Sequence, residues 1–431
     1  MRDYEICISE QTFYELATVL MREKFDNYLK GISKNTLHLT ANFGEKQWRQ
    51  NEIITVSLLI EYWPMKHCQP GLFDVEERAA QLTKMGDPLV GLKARVDWEE
   101  FRPELKRLYE KDRKSQAGAK PFDVVLMFKI LVLQQLHNLS DDGIEYQIRD
   151  RFSFMRFLGL QLEDRVPDSK TVWTFRERLK GLDLVDVLFA RFHEQLAEQG
   201  YAARAGQMID ATFVEVPKQR NTREENARIK EGQVPEMWDK PEAQAKRRQK
   251  DTEARWTKKN DEKHYGYKNH INADAGNKLI QSYSVTHAAV HDSQVFDELL
   301  DQTLDADGNK RAVYADSAYR SEAQQQRLAD ADIESQVCEK GTRGKPLTEE
   351  QKLSNRTKSK VRARVEHVFG AQAAMGGHVV RTIGLQRAKV KIGLMNLVYN
   401  MKRLIQLIKR DANAAKRDLM NHDRKGAPAV A

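Results

Sequence analysis

Residues 208–216 read MIDATFVEV, and this stretch decides the fold of the chain. β-branched and aromatic residues dominate it and Pro217 follows it, which is the pattern of a β-strand. From about residue 72 to Gly200 the apolar residues recur at helical spacing instead. The change of period predicts an all-helical region followed by an α/β domain.

Downstream of this strand, the sequence predicts a sheet with helices beside it. The further segments rich in β-formers are 264–272, 279–287 and 311–316, with a weaker one at 333–338. The segments with helical spacing are 292–301, 321–330, 355–374 and 387–410. A group of strands followed by flanking helices is a mixed α/β layer.

A highly charged segment, residues 218–263, separates the first two strands. It contains 14 Lys or Arg and 10 Asp or Glu, including the basic run at 246–250, and almost no aliphatic face. Two interpretations stay open, a solvated charged helix or a surface that contacts the phosphates of DNA. In both, the segment is an insertion on the α/β core.

The helical region contains short helices with tight, capped turns between them. Pro121 suits a first helical turn, Ser140 suits the N-cap of a second helix, and Asp168 suits that of a third. The third helix is predicted to begin at Ser169 and to stop at Gly181. Short helices joined in this way fit a helix-turn-helix module.

Composition and charge narrow the class of protein. The chain has 431 residues, enough for two or three domains, and its formal net charge of +8 suggests a polyanionic partner. Because no apolar run has the length of a membrane span and the first residues lack signal-peptide order, we expect a soluble, cytoplasmic protein. Three distant cysteines, Cys7, Cys68 and Cys338, exclude a zinc finger and predict reduced thiols.

Two acids stand at the strands of the predicted sheet. Asp210 lies among apolar neighbours in the first strand, where a lone carboxylate is costly, so it is either a hydrogen-bonded structural group or a metal ligand. Asp316 ends the apolar segment 311–316, at the edge where open α/β sheets bind their ligands. An N-cap or turn role for Asp316 is equally consistent with its position.

A third acid, Glu366, is the one Asp or Glu between Lys352 and Lys391, where ten Lys or Arg occur. It lies beside an apolar stripe on its predicted helix, formed by Val361, Val365, Val368 and Phe369. From that position Glu366 can approach the sheet. The alternative is an i, i+4 ion pair with Arg362, worth only a few tenths of a kcal/mol.

Three carboxylates in one place would repel one another unless a cation neutralised them. Mg²⁺ does this well because it prefers hard oxygen ligands, and Mn²⁺ can replace it. Two such ions, about 3.5–4 Å apart, can activate the attacking oxygen and stabilise the leaving one in a phosphoryl displacement. The basic residues Arg362 and Arg364 would then hold a DNA backbone.

Five motifs in this order resemble the bacterial insertion-sequence transposases of the DDE class, most closely the insertion-sequence-five family. The resemblance runs from about residue 70 to residue 409. The motifs are IDAT (209–212), YGYKNH (265–270), HDS (291–293), YADSAY (314–319) and RARVEHVFG (362–370).

The resemblance implies a ribonuclease-H-like fold in which Asp210, Asp316 and Glu366 are the catalytic acids and hold two Mg²⁺ or Mn²⁺ ions. It also implies a transposase that binds the terminal inverted repeats of its element, cuts the strand at the element's end and joins the freed 3′-hydroxyl to target DNA, as a homodimer on paired ends. Candidate contacts to double-stranded DNA are Lys170, Thr171, Thr174 and Arg178 on the helix from Ser169, and Lys268.

Pattern and resemblance together divide the chain into five parts. They are an N-terminal extension at 1–64, a helical lead-in and linker at 65–118, a helical DNA-binding domain at 119–200, a catalytic domain at 201–410 with the insertion at 218–263, and a polar tail at 411–431. One hypothesis is that Met65 is the functional start, and its alternative is a genuine small helical region at 1–64.

Two other functions stay open. The wider class often has Tyr and Lys at two positions where this chain has Ser359 and Ala373, which keeps a DNA-binding protein without catalysis as an alternative. A zinc or manganese hydrolase is the second, because His287 and His291 are four residues apart, Asp292 adjoins them, and His264 and His270 are near.

Overall fold

The computed structural model describes residues 74–110, 120–203, 205–259, 261–302, 310–341 and 344–426, together with 37–38 and 57–58. The chain divides into two compact units, Met1–Arg78 and Ala79–Ala431. In the first unit, strands β1 (Leu37–His38) and β2 (Ser57–Leu58) form an antiparallel pair. The hypothesis about Met65 lies outside the described residues.

Helices make up the described part of the chain from residue 74 to residue 198. They are α1 (Asp74–Lys84), α2 (Pro88–Arg95), α3 (Arg102–Lys106), α4 (Val124–Leu136), α5 (Asp141–Asp150), α6 (Phe152–Leu158), α7 (Ser169–Gly181) and α8 (Leu184–Glu198), with 3-10 turns at Glu99–Phe101 and Arg107–Tyr109. Helix α4 is apolar on all sides and mostly buried, as expected of a central helix.

The predicted helix starts are confirmed at two of three positions. The Ser140 hydroxyl accepts a hydrogen bond from Gly143 N, and the Asp168 carboxylate accepts one from Thr171 N. The start at Pro121 was wrong, because Asp123 is the N-cap of α4 and accepts from Val125 N and Leu126 N. Helix α7 has the bounds that the sequence predicted.

The second half of the chain forms a mixed five-stranded sheet. Its strands are β3 (Gln207–Glu215), β4 (Arg255–Lys259), β5 (Glu262–Asp274), β6 (Ile280–His287) and β7 (Val313–Tyr314). β3 runs antiparallel to β5 and parallel to β7, while β4 and β6 run antiparallel to β5. Asp210 pairs with Ile271 in the centre of this sheet.

Further helices accompany these strands. They are α9 (Arg223–Lys230), α10 (Gln244–Arg248), α11 (Phe296–Leu299), α12 (Glu322–Asp330), α13 (Glu349–Arg362), α14 (Arg364–Ala374) and α15 (Leu385–Gly426), with 3-10 turns at Glu236–Trp238, Pro241–Ala243, Asp292–Gln294 and Ser317–Tyr319. Within the described residues, no helix is both long and apolar enough to cross a membrane.

Helix α15 joins the helical region to the sheet. Arg387, near its start, makes two hydrogen bonds of 2.8 and 2.9 Å to the Glu177 carboxylate of α7. Further along, the Asn396 amide exchanges hydrogen bonds with Asn269 of β5, and the Asn400 amide bonds the backbone of Ile280 in β6. Helix α15 therefore contacts both the helical region and the sheet.

The charged segment 218–263 is not a solvated helix, so that interpretation was wrong. Its chain folds around Trp238, which is fully buried. The Glu225 carboxylate accepts hydrogen bonds from the Trp238 indole (2.8 Å) and from Lys246 Nζ (2.6 Å). Burial alone would raise the pKa of Glu225, but the hydrogen bonds from Lys246, the Thr222 backbone and Trp238 lower it to about 2.

Three other element predictions differ from the structure. Residues 333–338 form only one bridge, between Ser335 and Val313, rather than a strand. The helix expected at 355–374 is two helices, α13 and α14, that meet at Ala363. The helix expected at 292–301 is reduced to a 3-10 turn and the four residues of α11.

Candidate active site

Asp210 is a buried carboxylate in the central strand β3, with 9% of the residue exposed. One oxygen accepts a hydrogen bond from Ala211 N at 2.8 Å, and the other accepts one from Arg362 Nη1 at 2.9 Å. The pKa of Asp210 is raised to about 6, because burial, together with the smaller effect of the Asp316 charge, outweighs the hydrogen bond from Ala211 N and the charge of Arg362. Asp210 is therefore a carboxylate whose ionised form needs a nearby cation.

Asp316 follows β7 and is close enough to Asp210 for its charge to be felt there. It is also the N-cap of the 3-10 turn Ser317–Tyr319, where its Oδ1 accepts a hydrogen bond from Ala318 N at 2.8 Å. Both of the roles that the sequence allowed, turn acid and neighbour of Asp210, are thus present in one residue.

Glu366 lies in the first turn of α14, and its side chain is 67% exposed. Its Oε1 is 4.0 Å from Arg362 Nη2, so the i, i+4 pair considered above is present at long distance. The apolar stripe beside it is confirmed, because Val365 and Val368 are fully buried and Val361 and Phe369 pack against the core. The helix face holds Glu366 at the rim of the site rather than inside it.

Arg362 links the acids. It is the last residue of α13, and its guanidinium bonds Asp210 and approaches Glu366. Within the described residues, no three His, Cys, Asp or Glu side chains are grouped so as to hold one metal ion. The donors still fit a hard divalent cation, because Asp210 and Asp316 present carboxylate oxygens near each other and repel without a positive charge. Arg362 supplies that charge in this arrangement.

Two further residues, Tyr319 and His270, lie beside these acids and were not assigned to the carboxylate site from the sequence. Tyr319 is buried, and burial followed by the charges of Asp210, Asp292 and Asp316 raises its pKa. Its hydroxyl has no hydrogen-bond partner among the described residues. His270 is also buried, and its Nδ1 lies 4.0 Å from Asp292 Oδ1. The motifs that contain these residues were the available signal.

Lys268 has a different place from the one predicted. It is 7% exposed, and its Nζ donates hydrogen bonds of 2.7 Å to Val290 O and to Asp292 Oδ1. An ammonium with this burial and these partners is a structural ion pair, since a DNA phosphate would have to displace Asp292. Its burial therefore argues against the predicted DNA contact.

The other predicted DNA contacts are distributed over two surfaces. On α7, Lys170 is exposed, Thr171 has its backbone N–H in the helix cap, and the Thr174 hydroxyl bonds Lys170 O. Arg178 lies over the ring of Tyr109, at 5.1 Å from its centroid. Near the acids, Arg364 Nη1 bonds Ala275 O at 3.0 Å.

The histidines of the hydrolase alternative are not assembled into a metal site in the described part of the chain. His287 is the last residue of β6. His291 caps the 3-10 turn Asp292–Gln294, where its Nδ1 accepts from Ser293 N and lies 2.8 Å from the Ser293 hydroxyl. The pair thus ends a strand and caps a turn, which is not the geometry of a helical i, i+4 metal pair.

Known protein families match both halves of the second unit. A family model described as Transposase DDE domain matches residues 202–401, and one described as Transposase domain (DUF772) matches residues 76–178. Among solved structures, the chain is similar to a cryo-EM structure of the piggyBac transposase synaptic complex with hairpin DNA. The identity is 12%, over 81% of this chain and 84% of that chain, with a TM-score of 0.38, a value too low to establish a common fold.

The two family matches define a transposase, with the acid-bearing strands inside the DDE domain and helix α7 inside the other domain. These two domains are typical of the transposases of insertion sequences. The narrower placement in the insertion-sequence-five family stays a prediction.

Proposed function

We propose that this transposase cleaves and joins DNA strands with a divalent-metal site built from Asp210, Asp316 and Glu366. The observation that carries the proposal is Asp210, a carboxylate buried in the central strand, with a raised pKa and a second acid beside it. Buried acids with perturbed pKa values are typical of functional sites. A carboxylate with a purely structural role would be expected beside a cation, with no second negative charge next to it.

The topology supports a ribonuclease-H-like fold for the catalytic domain. Without the β4 arm, the strand order along the chain is β3, β5, β6 and β7, so that Asp210 lies on the first strand and Asp316 follows the fourth. The transposases that the sequence resembles carry their first two acids at these positions. Glu366 follows on a helix, α14, as it does in those proteins.

Asp210, Asp316 and Glu366 would hold two Mg²⁺ or Mn²⁺ ions. Bound ions would supply charge to activate water or a 3′-hydroxyl and to stabilise the leaving oxygen. Arg362 would exchange its bond to Asp210 for a bond to a DNA phosphate, since a guanidinium binds both groups in the same geometry. Arg364, on the next turn, would bind the backbone beside it.

Helix α7 would read the terminal inverted repeats. Lys170 and Trp173 are exposed on it, and Trp173 has 46% of its surface free. Lys170, Thr171 and Thr174 lie near its N-terminus, the end that helix-turn-helix proteins place against base edges. A homodimer on paired element ends would bring two such helices to one complex.

A strand-cleavage assay tests the proposal. The DNA is a duplex carrying the sequence that flanks this gene, with Mg²⁺ or Mn²⁺ and without either. We expect metal-dependent nicking at the element end, and its loss in Asp316→Ala with DNA binding retained. Binding without nicking in either metal would instead support a transposase-derived protein that binds DNA without catalysis, the alternative that Ser359 and Ala373 keep open.

A further inference from the structure

The β4–β5 hairpin, described at residues 255–259 and 261–265, forms an arm that folds back over β3. The arm turns at Gly266, whose φ is +149°, and a Cβ there would lie 2.3 Å from Val214 O. Only glycine allows this close crossing. Beyond it, the ring of His264 stacks on that of Phe213, with centroids 4.2 Å apart and planes 9° apart.

The two faces of the arm have different surroundings because successive strand residues point to opposite sides. Lys259 and His264 are on the face towards Phe213, and with Glu262 they line a depression that also includes Ala211 and Thr212. These last two residues directly follow Asp210 in β3. The arm is therefore part of the surface next to the catalytic acids.

The opposite face of the arm carries an aromatic ring and two lysines. Trp256 is 43% exposed and lies across from Tyr265, with ring centroids 4.8 Å apart. Tyr265 is buried behind it, so the indole has a fixed support on one side and solvent on the other. With Thr257, Lys258 and Lys263, Trp256 lines a shallow depression of about 480 Å³.

The lysines on this face are directly opposite each other in the ladder, Lys258 against Lys263. Like charges at such positions destabilise a strand pair. Lys258 forms an ion pair with Asp261 at 2.5 Å, but both side chains are mostly exposed, so this pair is weak and easily exchanged. Lys263 has no ion pair or hydrogen bond from its side chain among the described residues. Together the two lysines form a position suited to an anion.

This combination matches a nucleic-acid strand better than a protein partner. Protein interfaces are depleted in lysine at their centres, whereas single-stranded nucleic acid is bound by aromatic rings that stack on bases and cations that follow the backbone. The basic run at 246–250 offers no comparable surface. Lys246 pairs with Glu225, Arg247 with Asp239, and Lys250 with the Arg220 carbonyl and Asn221.

We propose that the Trp256 face of the arm binds an unpaired nucleotide of DNA, with its base stacked on the indole and its phosphate between Lys258 and Lys263. The nucleotide must be unpaired or terminal because a base inside a duplex already has neighbours on both sides. The proposed strand cleavage would produce such terminal nucleotides, so the inference rests on the proposed function and adds a ligand to it.

The test measures binding of the full chain to labelled DNA by fluorescence anisotropy at one salt concentration. The probes are a short single-stranded oligo-thymidylate and a blunt duplex of the same length. We expect Trp256→Ala to weaken binding to the single strand roughly tenfold and to leave the duplex nearly unchanged. Trp256→Phe, which keeps an aromatic ring, should retain most of the affinity.

Tyr146→Ala is the control, because Tyr146 is an aromatic residue of helix α5 that is 64% exposed and is not among the proposed DNA contacts. It should not change binding to the single strand. Unchanged single-strand affinity in Trp256→Ala, or an equal loss on both DNAs, would overturn the proposal. Failure of the wild-type protein to nick DNA would contradict the proposed function alone, since strand binding is measured without cleavage.

Discussion

The chemistry of the site depends on one guanidinium. Arg362 bonds Asp210 at 2.9 Å and lies 4.0 Å from Glu366, so it holds the charge that a divalent cation would bring. Binding of metal and binding by Arg362 are therefore in competition for the same carboxylate oxygen. The repulsion between Asp210 and Asp316 strengthens the binding of either cation, because the two carboxylates repel each other when neither Arg362 nor a metal ion is close.

Asp316→Asn should raise the free energy of unfolding of the metal-free protein, by up to about 1 kcal/mol, and abolish strand cleavage. The asparagine removes the charge that raises the pKa of Asp210, but it keeps an oxygen that can accept from Ala318 N. Urea unfolding in the presence of a chelator measures the change.

Asp316→Ala provides the comparison, because it removes the charge and the N-cap together. Loss of the cap costs about 1 kcal/mol. The alanine variant should thus be less stable than the asparagine variant. Equal destabilisation by both substitutions would mean that the repulsion between the two acids is not significant in the folded protein.

The site was only partly predictable from residue patterns. Asp210 could be identified because an acid among apolar β-formers is unusual, and Glu366 because it is alone in a basic stretch. The position of Glu366 at the rim of the site could not be predicted, because it depends on where α14 meets the sheet. The burial of Lys268 could not be predicted for a similar reason, because its partner Asp292 is 24 residues away.

Among the elements, helix α7 is held on two sides. Arg176 makes hydrogen bonds of 2.7 and 2.8 Å to Asp141 of α5, and Glu177 bonds Arg387 of α15. The Ser169 N–H is also bound, by Glu145 of α5. A helix with these contacts would keep its orientation in the proposed binding of DNA.

Glu177→Gln should lower the free energy of unfolding at pH 7 by about 1 to 2 kcal/mol. The hydrogen bonds from Arg387 and then Lys180 outweigh burial and lower the pKa of Glu177 from 4.5 to about 2. Because the folded-state pKa is lowered, the stabilisation is fully present above pH 4.5 and is lost as the pH falls towards 2.

Denaturant unfolding of both proteins between pH 7 and pH 3 checks this. The difference between wild type and variant should shrink as the pH decreases. Glu194→Gln is the control, because Glu194 forms an exposed i, i+3 pair with Arg191 and should have little effect at any pH. A difference for Glu177→Gln that stays constant down to pH 3 would exclude the ion pair as its cause.

Trp238→Ala should unfold the charged segment, at a cost of about 3 to 5 kcal/mol, because the indole is the fully buried centre of that segment. Limited proteolysis by trypsin should then cut between residues 218 and 250 much faster than in the wild type. Met237→Ala is the neighbouring control, since Met237 is 69% exposed and should leave the cleavage rate unchanged. Equal protection of both variants would contradict a separate core around Trp238.

Long apolar or capped elements were predictable, and elements fixed by distant contacts were not. Helix α7 has an N-cap and a defined end in its own sequence, and its bounds were predicted correctly. Strand β4 was missed because its alternation is hidden by lysines on a half-exposed edge. No Gly or Pro marks the break at Ala363, where the chain turns as Arg362 reaches Asp210.

For the whole molecule, the formal net charge of +8 does not tell where basic side chains are available to DNA. Fewer are available in the charged segment, and more in the arm, than the net charge suggests. The cations at 246, 247 and 250 are used inside the charged segment. Those of the arm at 258 and 263 remain at the surface. Net charge suggested a polyanionic partner, but only the fold identifies which cations can reach it.

A chain that begins at Met65 should keep both DNA binding and cleavage. The compact unit Ala79–Ala431 contains every residue assigned here to the site or to helix α7. A chain that begins at Lys120 is the contrasting truncation, because it removes Phe101 and Leu105, which are fully buried in the core. That protein should fail to fold, as judged by circular dichroism. Loss of activity in the Met65 chain would show that the first unit takes part in the reaction.

Helix α15 fixes the distance between helix α7 and the sheet. Arg387 bonds helix α7, and Asn396 bonds the sheet. The two residues are nine positions apart in α15, which corresponds to about 14 Å along the helix axis. In the proposed function, a single rigid element would leave little freedom in the spacing between the base pairs read by α7 and the phosphodiester cut at Asp210. The distance from the repeat to the nick would then be set by the protein rather than by the DNA sequence at the cut. Base pairs inserted between the repeat and the element's end should therefore leave the distance from repeat to nick unchanged, so that the nick moves away from the element's end by the number of base pairs inserted.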